Sequence, residues 1–303
     1  MSPKAPRLIV RVLGFGPSSP AIPCHWQAQT NATAAADIVT ETDRAVEAHI
    51  RSRLLAAHPT FNFIGAETYE RGTPVISAEN PAPAFVVDPI DGTTNFVHGF
   101  PWACVSLALV LPPDARPAVG VVYNPFLGLE YSGVHGGGSF VRQTKVPGSP
   151  KQRLPLRQSA EPLDDLSRAL VTVEWGSERS GPNFDVKLAT FRALGAHQSL
   201  GGAMVHSMRC LGSAALNICT VAAGQTDIYW EGGCWAWDVA AAWVILEEAG
   251  GRMFGGNPDM WDVRIESRLY LAVRQIEGGK EKQEDIVRQF WACMGGGTLF
   301  YEH

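Results

Sequence analysis

Positive charge is scarce in this chain, and so is charge of any kind. Only 18% of the 303 residues are charged, the formal net charge is −5, and 46% are hydrophobic. That balance gives no reason to expect nucleic acid or an anionic membrane surface as a partner. No apolar run approaches the length of a membrane span. The six cysteines (Cys24, Cys104, Cys210, Cys219, Cys234, Cys293) lie far apart, without the spacing of a zinc or redox site. Most stand in apolar stretches, so free buried thiols in a reducing compartment are expected. Asn31-Ala32-Thr33 fits a glycosylation sequon, but Leu8 to Leu13 is too short and too charged for a secretory core. No linker divides the chain, and no internal repeat is visible.

What is present is concentrated in two strings. In Asp88-Pro89-Ile90-Asp91-Gly92-Thr93-Thr94-Asn95-Phe96, two carboxylates stand three positions apart with a proline fixing the backbone between them. Phe85-Val86-Val87 reads as a buried strand ending at Asp88. Gly92-Thr93-Thr94 reads as a turn offering hydroxyls and backbone N–H groups to an anion. Taken singly, Asp-Pro and Asp-Gly are ordinary turn dipeptides. As one string they fit a magnesium-dependent phosphate-ester site, because hard oxygen ligands and phosphate donors sit together. The second string runs from Trp237-Asp238 through an Ala-rich segment to Gly250-Gly251. There Asp238 is read as a helix N-cap and Gly250 as its C-cap. Asp238 is then a third carboxylate, at the positive end of a helix dipole.

These two strings resemble the signature motifs of the inositol monophosphatase family. Asp37-Ile38-Val39-Thr40-Glu41-Thr42-Asp43, Phe63-Ile64-Gly65, Gly120-Val121-Val122-Tyr123 and Arg209-Cys210-Leu211-Gly212-Ser213-Ala214-Ala215 follow the family order, as does the segment 224–231. The resemblance covers roughly residues 37–274. It implies an α/β fold of stacked α-β-α-β-α layers, a homodimer, a cytoplasmic location, lithium sensitivity, and Mg2+ ions, two or three per site. The expected organisation is a single domain over 37–303. Residues 1–36, with Pro3, Gly14, Gly16, Pro17, Pro20 and Pro23, are an atypical segment expected to be poorly ordered. A disordered extension, a targeting leader and a misassigned first exon all fit it.

By the same resemblance, Asp88 bridges two ions, the Ile90 carbonyl holds one, and Asp91 and Asp238 hold another. Thr93 hydrogen-bonds the attacking water, and Asp43 stands near the cluster, although in sequence it equally suits a helix-capping acid. Gly92, Thr93 and Thr94 face the phosphate, Gly212-Ser213-Ala214 opens a helix against the substrate, and Glu231 accepts hydrogen bonds from a polyol. One position departs from the pattern. The family follows Phe-Ile-Gly with two acids, the first a metal ligand, whereas this chain reads Gly65-Ala66-Glu67. Glu67 is therefore the candidate ligand and catalytic acid in place of Ala66.

The implied function is hydrolysis of inositol monophosphate or a related small polyol phosphate. Relatives acting on histidinol phosphate, fructose bisphosphate or sulfated nucleotides, and a branch tied to quinate metabolism, keep the substrate open. Ala66 and the amino terminus motivate a different class, a catalytically impaired member with a binding or regulatory role.

Outside the motifs, helical spacing predicts helices over 42–57, 183–194 and 211–223. Strands are expected over 105–111, 118–123 and 170–174, with a hairpin over 129–141. Residues 145–157 are expected as a surface connection, and 269–273 as a strand closing the sheet.

Overall fold

Alternating strand residues point to opposite faces of a sheet, and in this chain both faces of the strands are apolar. The computed structural model describes residues 41–77, 79, 81–157 and 159–302. The expectations for residues 1–36, for Cys24 and for the start of the Asp37 motif lie outside them.

The first sheet is a seven-strand meander in chain order: β1 (Asn62–Gly65), β2 (Ala84–Asp91), β3 (Cys104–Leu111), β4 (Arg116–Asn124), β5 (Leu129–Val134), β6 (Gly138–Gln143) and β7 (Gln152–Arg153). Only β1 and β2 pair in parallel; the other neighbours are antiparallel. On β2, Phe85 and Val87 meet Ile50 and Leu54 of helix α1 (Glu41–Ala57). Ala84 and Val86 face the other way, into the largest core cluster. There they meet α4 (Ala214–Ala222) and α5 (Ala236–Glu248). Both helices are apolar nearly all round, as a helix packed on two sides must be.

Beyond α4 and α5 lies the second sheet. It contains β8 (Leu170–Val173), β9 (Ser207–Arg209), β10 (Ile228–Gly232), β11 (Arg252–Gly255) and β12 (Leu269–Val273), in the order β11-β12-β10-β8-β9. Tyr229, Tyr270 and Ala272 face the central helices, whereas Ile228, Trp230, Leu271 and Val273 face outward. That outer face is covered by Leu194 of α3 (Pro182–Gly195) and by Ile286, Val287, Phe290 and Trp291 of α6 (Lys280–Ala292). The layers are therefore α-β-α-β-α, as expected. Close contact between α5 and the first sheet depends on Gly120 of β4, where any Cβ would run into the backbone of Ala241.

Three local readings change. Residues 269–273 do not close the sheet, because β12 lies inside it between β10 and the edge strand β11. Neither β11 nor α6 is among the elements expected above, their patterns being concealed by Gly255 and by the charged first half of α6. Within 145–157, the expected surface connection contributes the exposed two-residue edge strand β7. Finally, β2 does not stop at Asp88 but continues to Asp91, and Thr93–His98 forms a short helix, α2, rather than a free turn.

Candidate active site

Residues three apart on a regular strand point to opposite faces, so Asp88 and Asp91 need a local irregularity to cooperate. The β2–β3 ladder supplies it. Asp88 pairs with Ser106 and Asp91 with Cys104, so one strand spends three steps where its partner spends two. This bulge, at Pro89-Ile90, turns both carboxylates to one side. The Ile90 N–H donates to Asp88 Oδ1 at 2.9 Å. Gly92 follows with φ 88°, and a Cβ there would lie 2.8 Å from the Trp102 carbonyl oxygen and 2.9 Å from that of Gly212. Only glycine suits both the left-handed backbone and the close approach.

Asp238 arrives from the middle layer. It is not the N-cap of α5 but its third residue; Trp235 occupies the cap, and its N–H donates to Asp238 Oδ2 at 2.7 Å. The first turn thus begins three residues earlier than the Asp-led Ala run suggests. Ser106 Oγ, donating to the Trp237 carbonyl at 2.9 Å, ties this helix start to β3. At the other end, Gly250 sits one residue beyond the cap Ala249, with φ 82°.

Among the described residues, Asp88, Asp91 and Asp238 form a cluster whose ligand oxygens lie within 4.8 Å of one another. Burial raises the Asp88 carboxyl well above its ordinary range, and the Asp238 and Asp91 charges add to the effect. Burial, then Asp238, pushes Asp91 up to about 7. Opposing this, Ser213 Oγ donates to Asp91 Oδ2 at 2.5 Å and the Ala215 N–H at 2.8 Å. Three close carboxylates, two of them with proton affinity raised by burial and by their neighbours' charge, form an oxygen cage suited to a hard divalent cation.

Beside this cage, Thr93 Oγ1 donates toward the Ile90 carbonyl (3.0 Å) and Asp43 Oδ1 (3.4 Å). Asp43 lies in the first turn of α1 and is 2% exposed. Ala66 stands at the end of the strand next to β2, its N–H donating to the Val87 carbonyl at 3.1 Å, so it flanks Asp88. Glu67 lines the same cavity, and its N–H donates to Glu47 at 2.8 Å; it is not one of the three clustered carboxylates. Gly92, Thr94, Gly212 and Ala214 also line this cavity of about 1060 Å³. Ser213 caps α4, accepting from the Leu216 N–H at 3.3 Å.

Glu231 comes from the end of β10 and also opens onto the cavity. Tyr229 donates its hydroxyl to Glu231 Oε2 at 2.6 Å. Burial, then the Glu174 charge, pushes Glu231 up to about 8, against the opposing effects of Tyr229 and Lys187. Glu174, which sequence reasoning passed over, organises the facing loop. Its Oε1 accepts from the N–H groups of Leu211 (2.7 Å) and Gly212 (2.8 Å) and from Asn217 (2.8 Å). Its signal was available, since an acid closing the buried strand β8 repeats the pattern of β2. Of the described cysteines, Cys104, Cys219 and Cys234 are buried and Cys293 is half-buried. Cys210 instead is exposed, because its loop faces the cavity.

A stability prediction arises here. Protons retained on Glu231 to about pH 8 in the fold leave an unfolded carboxylate near pH 4, so the folded form binds more protons in between. Stability of the metal-free protein then falls as pH rises across that window, by up to about 1.4 kcal/mol per pH unit for each retained proton. Melting curves in chelator from pH 5 to 8.5 should show this decline, and Glu231→Gln should make it shallower, leaving the part due to Asp88 and Asp91. Equal slopes for the two proteins would contradict the assignment.

A sequence model of the inositol monophosphatase family matches residues 21–295. The chain belongs to that family. Inositol monophosphatase 2 of Saccharomyces cerevisiae is 45% identical over 265 residues, covering 86% of this chain and 83% of that protein. Quinic acid degradation cluster protein x of Neurospora crassa is 39% identical over 283 residues, covering 86% and 81%. Among solved structures, the extragenic suppressor protein suhB from Bartonella henselae superposes with a TM-score of 0.65 at 26% identity, covering 97% and 95%. The family match begins at residue 21, upstream of the residue 37 at which the quoted motifs start.

Proposed function

We propose that this family member is a magnesium-dependent phosphomonoesterase acting on inositol monophosphate or a closely related polyol phosphate. The observation that carries the reading is the cage of Asp88, Asp91 and Asp238 in a cavity that Glu231 also lines. Bound Mg2+ would supply charge neutralisation for the phosphate and acidification of a water, with Asp88, Asp91, Asp238 and the Ile90 carbonyl as its ligands. Thr93 Oγ1, already directed at the buried Asp43, orients that water's proton path toward a carboxylate. Backbone donors around Gly92 and Thr94 receive phosphate oxygens. In the same cavity, Glu231, braced by Tyr229, accepts hydroxyl hydrogens from the ring. A cytoplasmic, lithium-sensitive homodimer completes the proposal, supported by family membership. No helix among the described residues is long and apolar enough to cross a membrane.

Ala66 favours a second reading, an attenuated member of the family. It flanks Asp88 where a carboxylate side chain would add to the cage. Restoring that charge in Ala66→Glu is expected to lower the magnesium needed for half-maximal phosphate release by about 10–100-fold, the range over which ligand-shell changes move metal affinity. A magnesium titration of inositol 1-phosphate hydrolysis measures it. If the titration midpoint does not move, Glu67 or water already completes the site, and the attenuated reading is lost.

A further inference from the structure

Leu299, Phe300, Tyr301 and Glu302 lie beyond the segment that matches the family, residues 21–295. This segment is tied at three points. Leu299 exchanges two hydrogen bonds with Asn257: its N–H donates to Oδ1 at 2.8 Å, and its carbonyl accepts from Nδ2 at 2.8 Å. Phe300 repeats the pattern with Asn183, at 2.8 and 2.7 Å. Arg268 Nη1 donates to the Glu302 carbonyl at 2.6 Å. The three tethers come from α3, from the loop after β11 and from the approach to β12. Phe300, Tyr301 and Glu302 are thereby held against the cavity that contains the carboxylate cage.

The Tyr301 ring rests on Gly232 and Gly233, the turn that leaves Glu231. A Cβ on Gly232 would lie 2.9 Å from Tyr301 Cε2, and one on Gly233 would lie 3.1 Å from Cε1, so the two bare residues form a seat for the ring. Two cations flank it. Lys187, 3% exposed on α3, donates to the carbonyls of Gly232 and Trp175, both at 3.0 Å. Its ammonium stands 5.5 Å from the Tyr301 ring centre. Arg268 donates to the Gly233 carbonyl at 2.8 Å, with its guanidinium 5.6 Å from the same ring. The turn has no side chains of its own with which to hold a position. Gly232 ends β10 opposite Leu269 of β12, and the Gly233 N–H donates to the Arg268 carbonyl at 2.8 Å. Beyond that ladder, the backbone is held by these carbonyl contacts and by Leu299 and Tyr301 lying over it.

We infer that Tyr301 is a specificity-determining positioning residue, which clamps the Gly232–Gly233 turn and so holds Glu231 in register with the hydroxyl groups of a polyol phosphate. The inference rests on the assignment of Glu231 as hydroxyl acceptor. A carboxylate that selects a ring hydroxyl must be held to within about 0.5 Å, which requires a packed support behind it. Tyr229 supports the Glu231 carboxylate from its own strand. Tyr301 supports the chain where it leaves the strand. A substrate bound by its phosphate alone gains nothing from that support.

The test compares kcat/KM for inositol 1-phosphate with that for 4-nitrophenyl phosphate, which offers Glu231 no hydroxyl. The ratio is expected to fall about tenfold in Tyr301→Ala, equivalent to about 1.4 kcal/mol, chiefly through a higher KM for inositol 1-phosphate. Tyr301→Phe, which keeps the ring, restores the parent ratio. Asn183→Ala, which releases the Phe300 tether and leaves the ring intact, lowers the ratio in the same direction if Tyr301→Ala folds poorly. Equal losses on both esters, or a ratio unchanged in Tyr301→Ala (in Asn183→Ala where Tyr301→Ala does not fold), overturn the inference. A ratio lost in Glu231→Gln but kept in Tyr301→Ala removes the clamp and leaves the Glu231 assignment standing. A ratio kept in both removes both, as does a parent protein that hydrolyses neither ester.

Discussion

Asp91→Asn is expected to reduce phosphate release on the order of 10³-fold while making the metal-free protein more stable at neutral pH. The opposite signs follow from one geometry. Asp91 Oδ2 already accepts from Ser213 Oγ and the Ala215 N–H, and an asparagine carbonyl can keep both bonds. The amide then turns toward Asp88 and Asp238, replacing a third negative charge by a donor. Mutual repulsion, which together with burial raises the carboxyls of Asp88 and Asp91, is relieved. The same neutralisation removes one anionic ligand from the cage, and the affinity for a divalent ion falls with it. Melting temperature in chelator and phosphate release in saturating magnesium read the two effects separately. A variant that loses stability in chelator, or that keeps most of its activity, would contradict this account of the cluster.

Thr93→Val should lower kcat by roughly 10²- to 10³-fold with little change in the magnesium midpoint, the range in which a positioned proton-transfer group acts. Valine matches the shape of threonine, so α2 and the neighbouring Gly92 backbone are left in place. What disappears is the hydroxyl bridging the Ile90 carbonyl and Asp43. Asp43→Asn should cost a similar factor, and the double variant little more than either single one, because the two residues act as one unit. Single-turnover phosphate release would measure all three. Additive losses would separate Asp43 from Thr93 and leave the buried carboxylate as support for α1 alone.

The layered fold was legible through the resemblance to the inositol monophosphatase family; residue patterning by itself gave alternating strands and helices but not how they stack. The cage was half legible. Asp88, Asp91 and Asp238 stand out as residue types, but their convergence depends on the β2–β3 bulge, which exists only once β3 supplies the register. The offset at Asp238 has a similar origin. An aspartate ahead of an Ala run suggests a cap, yet the helix begins at Ala236 because the Trp235 N–H donates to the Asp238 carboxylate and the Asp238 N–H donates to the Trp235 carbonyl. Glu174 and Lys187 stayed hidden because their partners, the 211–213 loop and the carbonyls of Trp175 and Gly232, are assembled by the fold and not by adjacency. Tyr301 is further still from any motif. Its meaning comes from two bare glycines nearly seventy positions earlier in the chain.

Phosphate release from inositol 1-phosphate across a magnesium titration, with the parent protein and Asp91→Asn side by side, tests the central claim most directly. The account predicts magnesium-dependent release by the parent, abolished by chelator and reduced on the order of 10³-fold in Asp91→Asn. Release that persists in chelator, or that is equal in the two proteins, would contradict a metal-assisted phosphatase centred on Asp88, Asp91 and Asp238.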